Sequence, residues 1–406
     1  MQKNKEKAAL GFMLQSIELV NFFSFRSARV ELKEFNTLIG INGSGKSNFL
    51  KAMSVLKAVL TEGGLQELII NEWGGFDAVL YAGVPLDEAA PSIKLRYEFI
   101  PEKISGYGYV FTEPVIYQIR FDKVASTQNY SICETLKTRS GYTYFRMNRG
   151  RGFAMEGASN NQHKVVYQLE DEGNSLFNQL VDKDRYIQIF ALREALKGVA
   201  VYSYFDTTVK SAIRKPVIPT TAVRLLADGT NLPQLLNRIN ISNKAHFASI
   251  KKALNAVNPH FTGIDFNMLG PNIELMLEES KLLRSVHVTH ISDGTLRYLC
   301  LLAIIWNAQR GTVVCIDEPE IGLHPDMIAE IVDGIKANCR ETQFVISTHS
   351  EYVLNQVSVD EVMVFDKDES NATQVESFPD EDFRQWAASY ATGRLWRNGD
   401  LGGNRY

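Results

Sequence analysis

Gly40-Ile41-Asn42-Gly43-Ser44-Gly45-Lys46-Ser47 fits GxxxxGK[ST] at every fixed position. This octapeptide restricts the fold more than any other feature, because it works only between a strand and a helix. Asn36 to Ile39 reads as the strand. Lys46 to about Val59 reads as the helix, with Phe49, Leu50, Met53, Leu56 and Leu60 at roughly helical spacing. Glycines let backbone N–H groups turn inward on a phosphate, and the helix N-terminus adds positive dipole charge. Gly40, Asn42, Gly43, Ser44, Gly45 and Asn48 are the candidate cradle for ATP. Lys46 is placed to reach the β- and γ-phosphates, and the Ser47 hydroxyl to ligate Mg²⁺.

Two further strands end in polar clusters. Thr312 to Ile316 is an apolar run of the buried parallel type, and it ends in Asp317-Glu318-Pro319. Ligands bind at such strand ends. Asp317 is the second candidate for holding Mg²⁺, and Glu318 the candidate general base, since successive side chains at a strand end point different ways. Val345-Ile346-Ser347 runs into Thr348-His349-Ser350, where His349 can donate a hydrogen bond to a γ-phosphate. Between these strands, Pro325 reads as the first turn of a helix running to about Ala337.

Ser292-Asp293-Gly294-Thr295-Leu296-Arg297 stands 25 residues before Asp317, just ahead of a very apolar helix. A helix opening at Ser292 presents backbone N–H groups and a hydroxyl to an anion. With Asn21-Phe22-Phe23-Ser24-Phe25 ahead of the glycine loop, the order of motifs resembles the RecF/SMC-like branch of ABC-type ATPases. More closely, it resembles the compact OLD- and RecF-type ATPases of the AAA family, which occur widely in bacteria and often in anti-phage defence operons. The motif matches cover about Leu14 to Asn48 and Ile291 to Val353, and the tail run Gly393-Arg394-Leu395-Trp396, Gly399, Leu401-Gly402-Gly403 has the look of that group.

The resemblance implies an ABC-type ATPase head of the α/β class: a mixed sheet with a P-loop core, an antiparallel β subdomain and an inserted helical lid. It makes Ser292, Asp293 and Gly294 the signature that binds the γ-phosphate of ATP held by the other subunit. Glu320 to Pro325 becomes the D-loop facing that subunit, and His349 the switch histidine. Catalysis then falls to Glu318, His349 and Lys46. The implied partners are a second copy in an ATP sandwich, with higher oligomers open, an effector such as a TOPRIM-like nuclease, and DNA. The implied role is a switch in anti-phage defence; a RecF-like repair ATPase acting on DNA gaps or ends is the alternative. The start at Asn21 and the Ser-Asp-Gly-Thr form of the signature argue against a transporter subunit. Some 270 residues separate Lys46 from Asp317 without sustained heptads, so no long coiled coil is expected. The acids Asp360, Asp366, Asp368 and Glu369 read as a solvated loop, with too little chain left for a nuclease domain.

The organisation expected is an N-terminal half at 14–168 with P-loop and antiparallel sheet, a helical lid at 169–272, a C-terminal half at 273–365 and a polar tail at 366–406. Gln66 and Gln118 are candidates for a Q-loop glutamine. Lys137, Arg139, Arg146, Arg149 and Arg151 interleave with Tyr142, Tyr144 and Phe145 as a candidate DNA contact. Asp228-Gly229-Thr230-Asn231 reads as a turn and N-cap. A net charge of −4 gives no global attraction to nucleic acid or anionic lipid. Cys133, Cys300, Cys315 and Cys339 stand too far apart for a zinc motif. The longest apolar run, Leu299 to Trp306, falls well short of the ~20 residues that span a bilayer. A cytoplasmic protein without membrane contact is expected.

Overall fold

The computed structural model describes residues 14–85, 91–106, 108–125, 127–157, 162–378 and 392–402. Residues 1–13 and 403–406, which include Gly403 of the tail run, lie outside them. Parallel pairing sets the centre of the molecule. Strand β3 (Phe35–Ile39) is buried along its whole length. It lies between β15 (Gln343–Ser347) and β16 (Val362–Lys367), parallel to both. Beyond β15 come β14 (Val313–Asp317) and β10 (Val199–Tyr202), again parallel, and an antiparallel edge strand, β17 (Thr373–Ser377), closes the other side. In this register Asp317 sits opposite Ser347, and Ser347 opposite Leu38. Three segments remote in sequence therefore end on one edge.

The first subdomain packs over this sheet. Strands β1 (Leu14–Phe22), β2 (Phe25–Glu31), β4 (Ser92–Phe99), β5 (Val115–Lys123), β6 (Tyr130–Thr138), β7 (Thr143–Asn148), β8 (Arg151–Glu156) and β9 (His163–Gln168) form an eight-stranded antiparallel sheet in the order β2-β1-β4-β5-β6-β7-β8-β9. The last two were not legible in the sequence, because Arg151-Gly152 opens β8 and His163-Lys164 opens β9, and neither shows a regular apolar alternation. Between the sheets lies α1 (Lys46–Ala58). Tyr97 of β4 donates to the Ala52 carbonyl at 2.6 Å, and Phe49 meets the Phe365 ring of β16 at 5.7 Å. The helix that carries Lys46 is thus held from both sides. The chain continues through short helices α2 (Gly64–Gln66), α3 (Phe76–Val79) and α4 (Pro101–Ile104) to α5 (Ile187–Leu196).

The opposite face of the parallel sheet carries a second core. Val313, Cys315 and Val345 face the first, whereas Val314, Ile316, Phe344 and Ile346 face the second, following the two-residue period of a strand. Helices α6 (Leu232–Ser242), α7 (Lys244–Val257), α8 (Asp293–Ile305), α9 (Pro325–Asn338) and α10 (Glu351–Leu354) contribute to it. So does a three-stranded sheet of β11 (Phe261–Leu269), β12 (Asn272–Glu279) and β13 (Val286–His287).

Two segments differ from their sequence reading. The stretch 169–272 is not all helix, since it supplies β10 to the central sheet and β11 to the small one. Val199 to Tyr202 is too short to show a period, and only pairing with β14 makes it a strand. The stretch 366–406 is more than a tail. It contains β17 and α11 (Thr392–Asn398), whose Leu395 and Trp396 are buried in the second core. Among the described residues no long coiled coil occurs, and no helix is long and apolar enough to cross a membrane.

One buried acid gives the fold a pH signature. The Glu134 carboxylate accepts hydrogen bonds from the Tyr117 hydroxyl at 2.9 Å, the Ser175 hydroxyl at 2.8 Å and the Leu176 N–H. Burial pushes its pKa from 4.5 up to about 7, with those three donors opposing. The folded state therefore holds a proton that the unfolded chain releases. The stability tied to that proton is present below pH 4.5 and lost as pH rises through 7. Urea unfolding of the wild type and of Glu134→Gln should show the wild type losing on the order of 3 kcal/mol relative to the variant over that window. A pH-independent difference would contradict this.

Candidate nucleotide site

The loop after β3 depends on close approaches that only glycine permits. Gly40, Gly43 and Gly45 have φ of 145°, 80° and 110°. A Cβ on Gly40 would lie 2.1 Å from the Phe365 carbonyl oxygen, and one on Gly45 would lie 2.4 Å from Thr373 Oγ1 and 2.7 Å from Ser24 Oγ. Thr373, on the edge strand β17, ties the loop down by donating to the Ser44 carbonyl at 2.7 Å, and its N–H donates to the Ser24 carbonyl. Asn48 donates to Ser24 Oγ at 3.0 Å. The β1–β2 turn, the phosphate loop and β17 are thereby one hydrogen-bonded unit. The Ser44 hydroxyl is buried without a partner among the described residues. Lys46 donates to the Gly40 and Ile41 carbonyls at 2.8 and 3.1 Å, and Ser47 is exposed at the start of α1. Burial pulls the Lys46 ammonium down to about 8, against the carboxylates of Glu318, Asp317 and Glu320.

Those carboxylates lie at the end of β14. Asp317 Oδ1 accepts from the Ser347 hydroxyl. The Glu318 N–H donates to the Ser347 carbonyl at 3.1 Å, and Glu318 itself has φ of +49°. A non-glycine residue in the left-handed region costs on the order of 1 kcal/mol or more and persists only where its surroundings hold it. The turn separates the Glu318 side chain from that of Asp317 and brings Oε1 to 3.4 Å from His349 Nε2. Burial, with Asp317 and Glu320 nearby, raises the Glu318 pKa, which makes its carboxylate a stronger base. Glu320 locks this corner, as its Oε1 accepts from Thr348 Oγ1 at 2.7 Å and from the His349 N–H at 2.9 Å. Sequence reasoning gave Ser347 no role of its own and read Glu320 only as the start of a segment facing a second subunit, whereas its Oε1 braces His349 within the chain.

An open cleft of about 440 Å³ is lined by Ile41, Asn42, Glu318, His349 and Trp396. The phosphate loop, the acidic corner and His349 therefore share one wall system, the arrangement a phosphoryl-transfer site needs. The residues present fit ATP with Mg²⁺. Ser47 and Asp317 would hold the metal, which would neutralise phosphate charge. No group of three His, Cys, Asp or Glu side chains suited to a metal occurs among the described residues, and Mg²⁺ that shares substrate phosphates needs none.

Ser292, Asp293 and Gly294 do not line this cleft. Ser292 is the N-cap of α8, its hydroxyl accepting from the Thr295 N–H at 3.2 Å. Gly294 packs on the turn after Glu318, where a Cβ would lie 2.7 Å from the Gly322 carbonyl oxygen. Arg297 donates to the Ile321 carbonyl at 2.6 Å. Arg214 sets the signature turn. Its buried guanidinium donates to the carbonyls of Val288, Ile291 and Thr207 at 2.7, 2.8 and 2.9 Å and to Asp293 Oδ1 at 2.6 Å. It lies more than 70 residues before those partners on the signature side, so no local pattern could reveal it.

Other candidates sit elsewhere. Gln66 lines a separate cleft with Asn129, Tyr130 and Asp171, and Gln118 lines one with Lys94, Arg120 and Arg146 on the antiparallel sheet. Tyr144 and Phe145 of the basic hairpin are buried, so neither ring is open for stacking. Arg139 and Arg149 pair with Glu98 and Asp122. Asn231 stands at the N-cap position of α6, but its side chain turns back to the Leu226 N–H and the Arg224 carbonyl.

Residues 35–355 match the family model described as AAA domain, putative AbiEii toxin, Type IV TA system. Among solved structures, the chain is similar to an Smc head bound to the C-winged helix domain of ScpA, at 12% identity, covering 91% of this chain and 99% of that one with a TM-score of 0.55. It is also similar to the Pyrococcus furiosus Smc head domain with an extended coiled coil bound to the C-terminal domain of ScpA, at 11% identity, 93% and 99% coverage and a TM-score of 0.59. No curated protein matches it in sequence.

The Arg214–Asp293 pair is lopsided, with side-chain exposures of 3% and 60%. Arg214→Met strands buried carbonyls and should cost ~2–4 kcal/mol, whereas Asp293→Ala removes a screened charge and should cost under ~1 kcal/mol. Urea unfolding of the two variants checks this, and equal losses would contradict it.

Proposed function

The chain belongs to this AAA-domain family and has the Smc-head fold, and from that premise we propose that it is an ATP-hydrolysing switch whose two ATP sites are each built from two chains. The observation that carries this reading is a division. One cleft joins Asn42, Glu318 and His349 beside the phosphate loop, whereas Ser292 caps α8 and Gly294 lies in its first turn, outside that cleft. In each site the loop N–H groups and Lys46 hold the phosphates of ATP, and Ser47 and Asp317 hold Mg²⁺. Glu318 orients a water and takes its proton as the water oxygen attacks the γ-phosphorus and the bond to the β-phosphate bridge breaks. His349 donates a hydrogen bond to the γ-phosphate. Ser292 and Gly294 of the second copy bind that phosphate from the far side, so hydrolysis removes the group that joins the two chains.

The switch controls DNA binding or an effector protein such as a nuclease, in anti-phage defence. The family description, a putative toxin of a Type IV system, supports the defence setting. The Smc heads bound to ScpA domains support a protein partner.

Complementation tests the divided site. Lys46→Ala should abolish nucleotide binding and Ser292→Arg should abolish turnover. Mixed one to one, they should recover about a quarter of wild-type ATPase, because half of the dimers are mixed and each has one intact site of two. A mixture no more active than the mean of its components contradicts the arrangement.

A further inference from the structure

The nucleotide cleft has one wall that none of the phosphate-loop, acidic or switch motifs supplies: Trp396, from the C-terminal helix α11. We propose that Trp396 is a positioning residue for hydrolysis, fixing the Glu318–His349 pair with which it lines the cleft. The inference rests on the ATPase reading of the same cleft.

The way α11 is attached supports it. The helix packs on α10, whose N-cap Ser350 directly follows His349. Thr392 Oγ1 donates to the Val357 carbonyl at 2.8 Å, and the Gly393 N–H donates to Asn355 Oδ1 at 3.1 Å. A Cβ on Gly393 would lie 2.6 Å from Asn355 Oδ1 and 2.9 Å from the Glu351 carbonyl oxygen, so glycine lets the two helices approach this closely. The other end is equally defined. The Gly399 N–H donates to the Trp396 carbonyl at 3.1 Å and the Asp400 N–H to the Leu395 carbonyl at 2.9 Å, with Gly399 at φ of 89°. This is a Schellman stop. Leu395 and Leu401 are buried on either side of it.

A large ring held this firmly at the edge of a solvent-open cleft does two things. It limits the positions open to the His349 imidazole and the Glu318 carboxylate, and it removes water from one side of them. Both effects act on the chemical step more than on the binding of phosphates, which the loop and Lys46 govern.

The experiment measures kcat, KM and Mg-ATP affinity of the full chain, with rates expressed per titrated nucleotide site so that unfolded protein does not count. Trp396→Ala is expected to lower kcat at least tenfold with the dissociation constant for Mg-ATP changed less than threefold. Trp396→Phe is expected to recover most of the rate. Gly393→Val, which forces α11 off α10, should reproduce the kcat loss with Trp396 intact. A parallel measurement uses a chain whose Trp73, Trp306 and Trp386 are replaced by Phe, so that only Trp396 reports. Mg-ATP should change its fluorescence, whether or not hydrolysis follows. Normal kcat in Trp396→Ala, or a loss confined to affinity, overturns the proposal while leaving the ATPase reading in place. A wild-type chain that binds no ATP overturns both.

Discussion

Parallel pairing among β14, β15, β3 and β16 is the constraint from which the site follows. Parallel neighbours cannot be joined by a tight turn, so the chain must leave the sheet and return for every strand. That requirement places residues 40, 317 and 347 on one edge although 277 residues separate the first from the second. It also explains where the rest of the molecule goes. Six strands of the eight-stranded sheet, β4 to β9, and the helical stretch are excursions between β3 and β14, and α9 is the return between β14 and β15. Each excursion covers one face of the central sheet, so connecting the strands and building the two cores are one event.

Around this edge the protein holds several costly arrangements in place. Glu318 sits in the left-handed region, and the Lys46 ammonium is buried deeply enough to lose basicity. Gly40 and Gly45 are approached too closely for any side chain. Each depends on a neighbour from a distant segment: Ser347 for Glu318, Phe365 for Gly40, Thr373 and Ser24 for Gly45. A corner so cross-tied is pre-organised, which is what phosphoryl transfer asks of a protein that supplies little covalent chemistry of its own.

The sequence disclosed what is contiguous. The glycine loop, the acids after an apolar strand and the histidine after another were legible because backbone chemistry demands those residue types at those positions. The strand–loop–helix around Lys46 was legible from period and turns, within a residue or two of its ends. What was hidden depends on contact across the chain. Arg214 shapes a turn that begins 74 residues later, Thr373 reaches back to Ser24 and Ser44, and β10 is a strand only because β14 lies beside it. Tyr144 and Phe145 looked like surface aromatics in a basic hairpin, yet the pleat turns Phe145 into the core and Tyr144 packs with Phe111. The Gly393-to-Leu401 run was noticed as a pattern, but its place beside the cleft required the docking of α11.

The account turns on ATP as the joint between two copies. In the proposed dimer Glu318 and Ser292 of one chain would serve different sites, and the close approach of Gly294 to Gly322 makes the start of α8 and the turn after Glu318 neighbours within that chain. The most direct test is the solution mass of Glu318→Gln with and without Mg-ATP, since this variant retains the phosphate loop but lacks the base. The account predicts a monomer that becomes a dimer when Mg-ATP is added and reverts when it is removed. A mass that does not change with nucleotide, whether of one chain or of a fixed assembly, would contradict it.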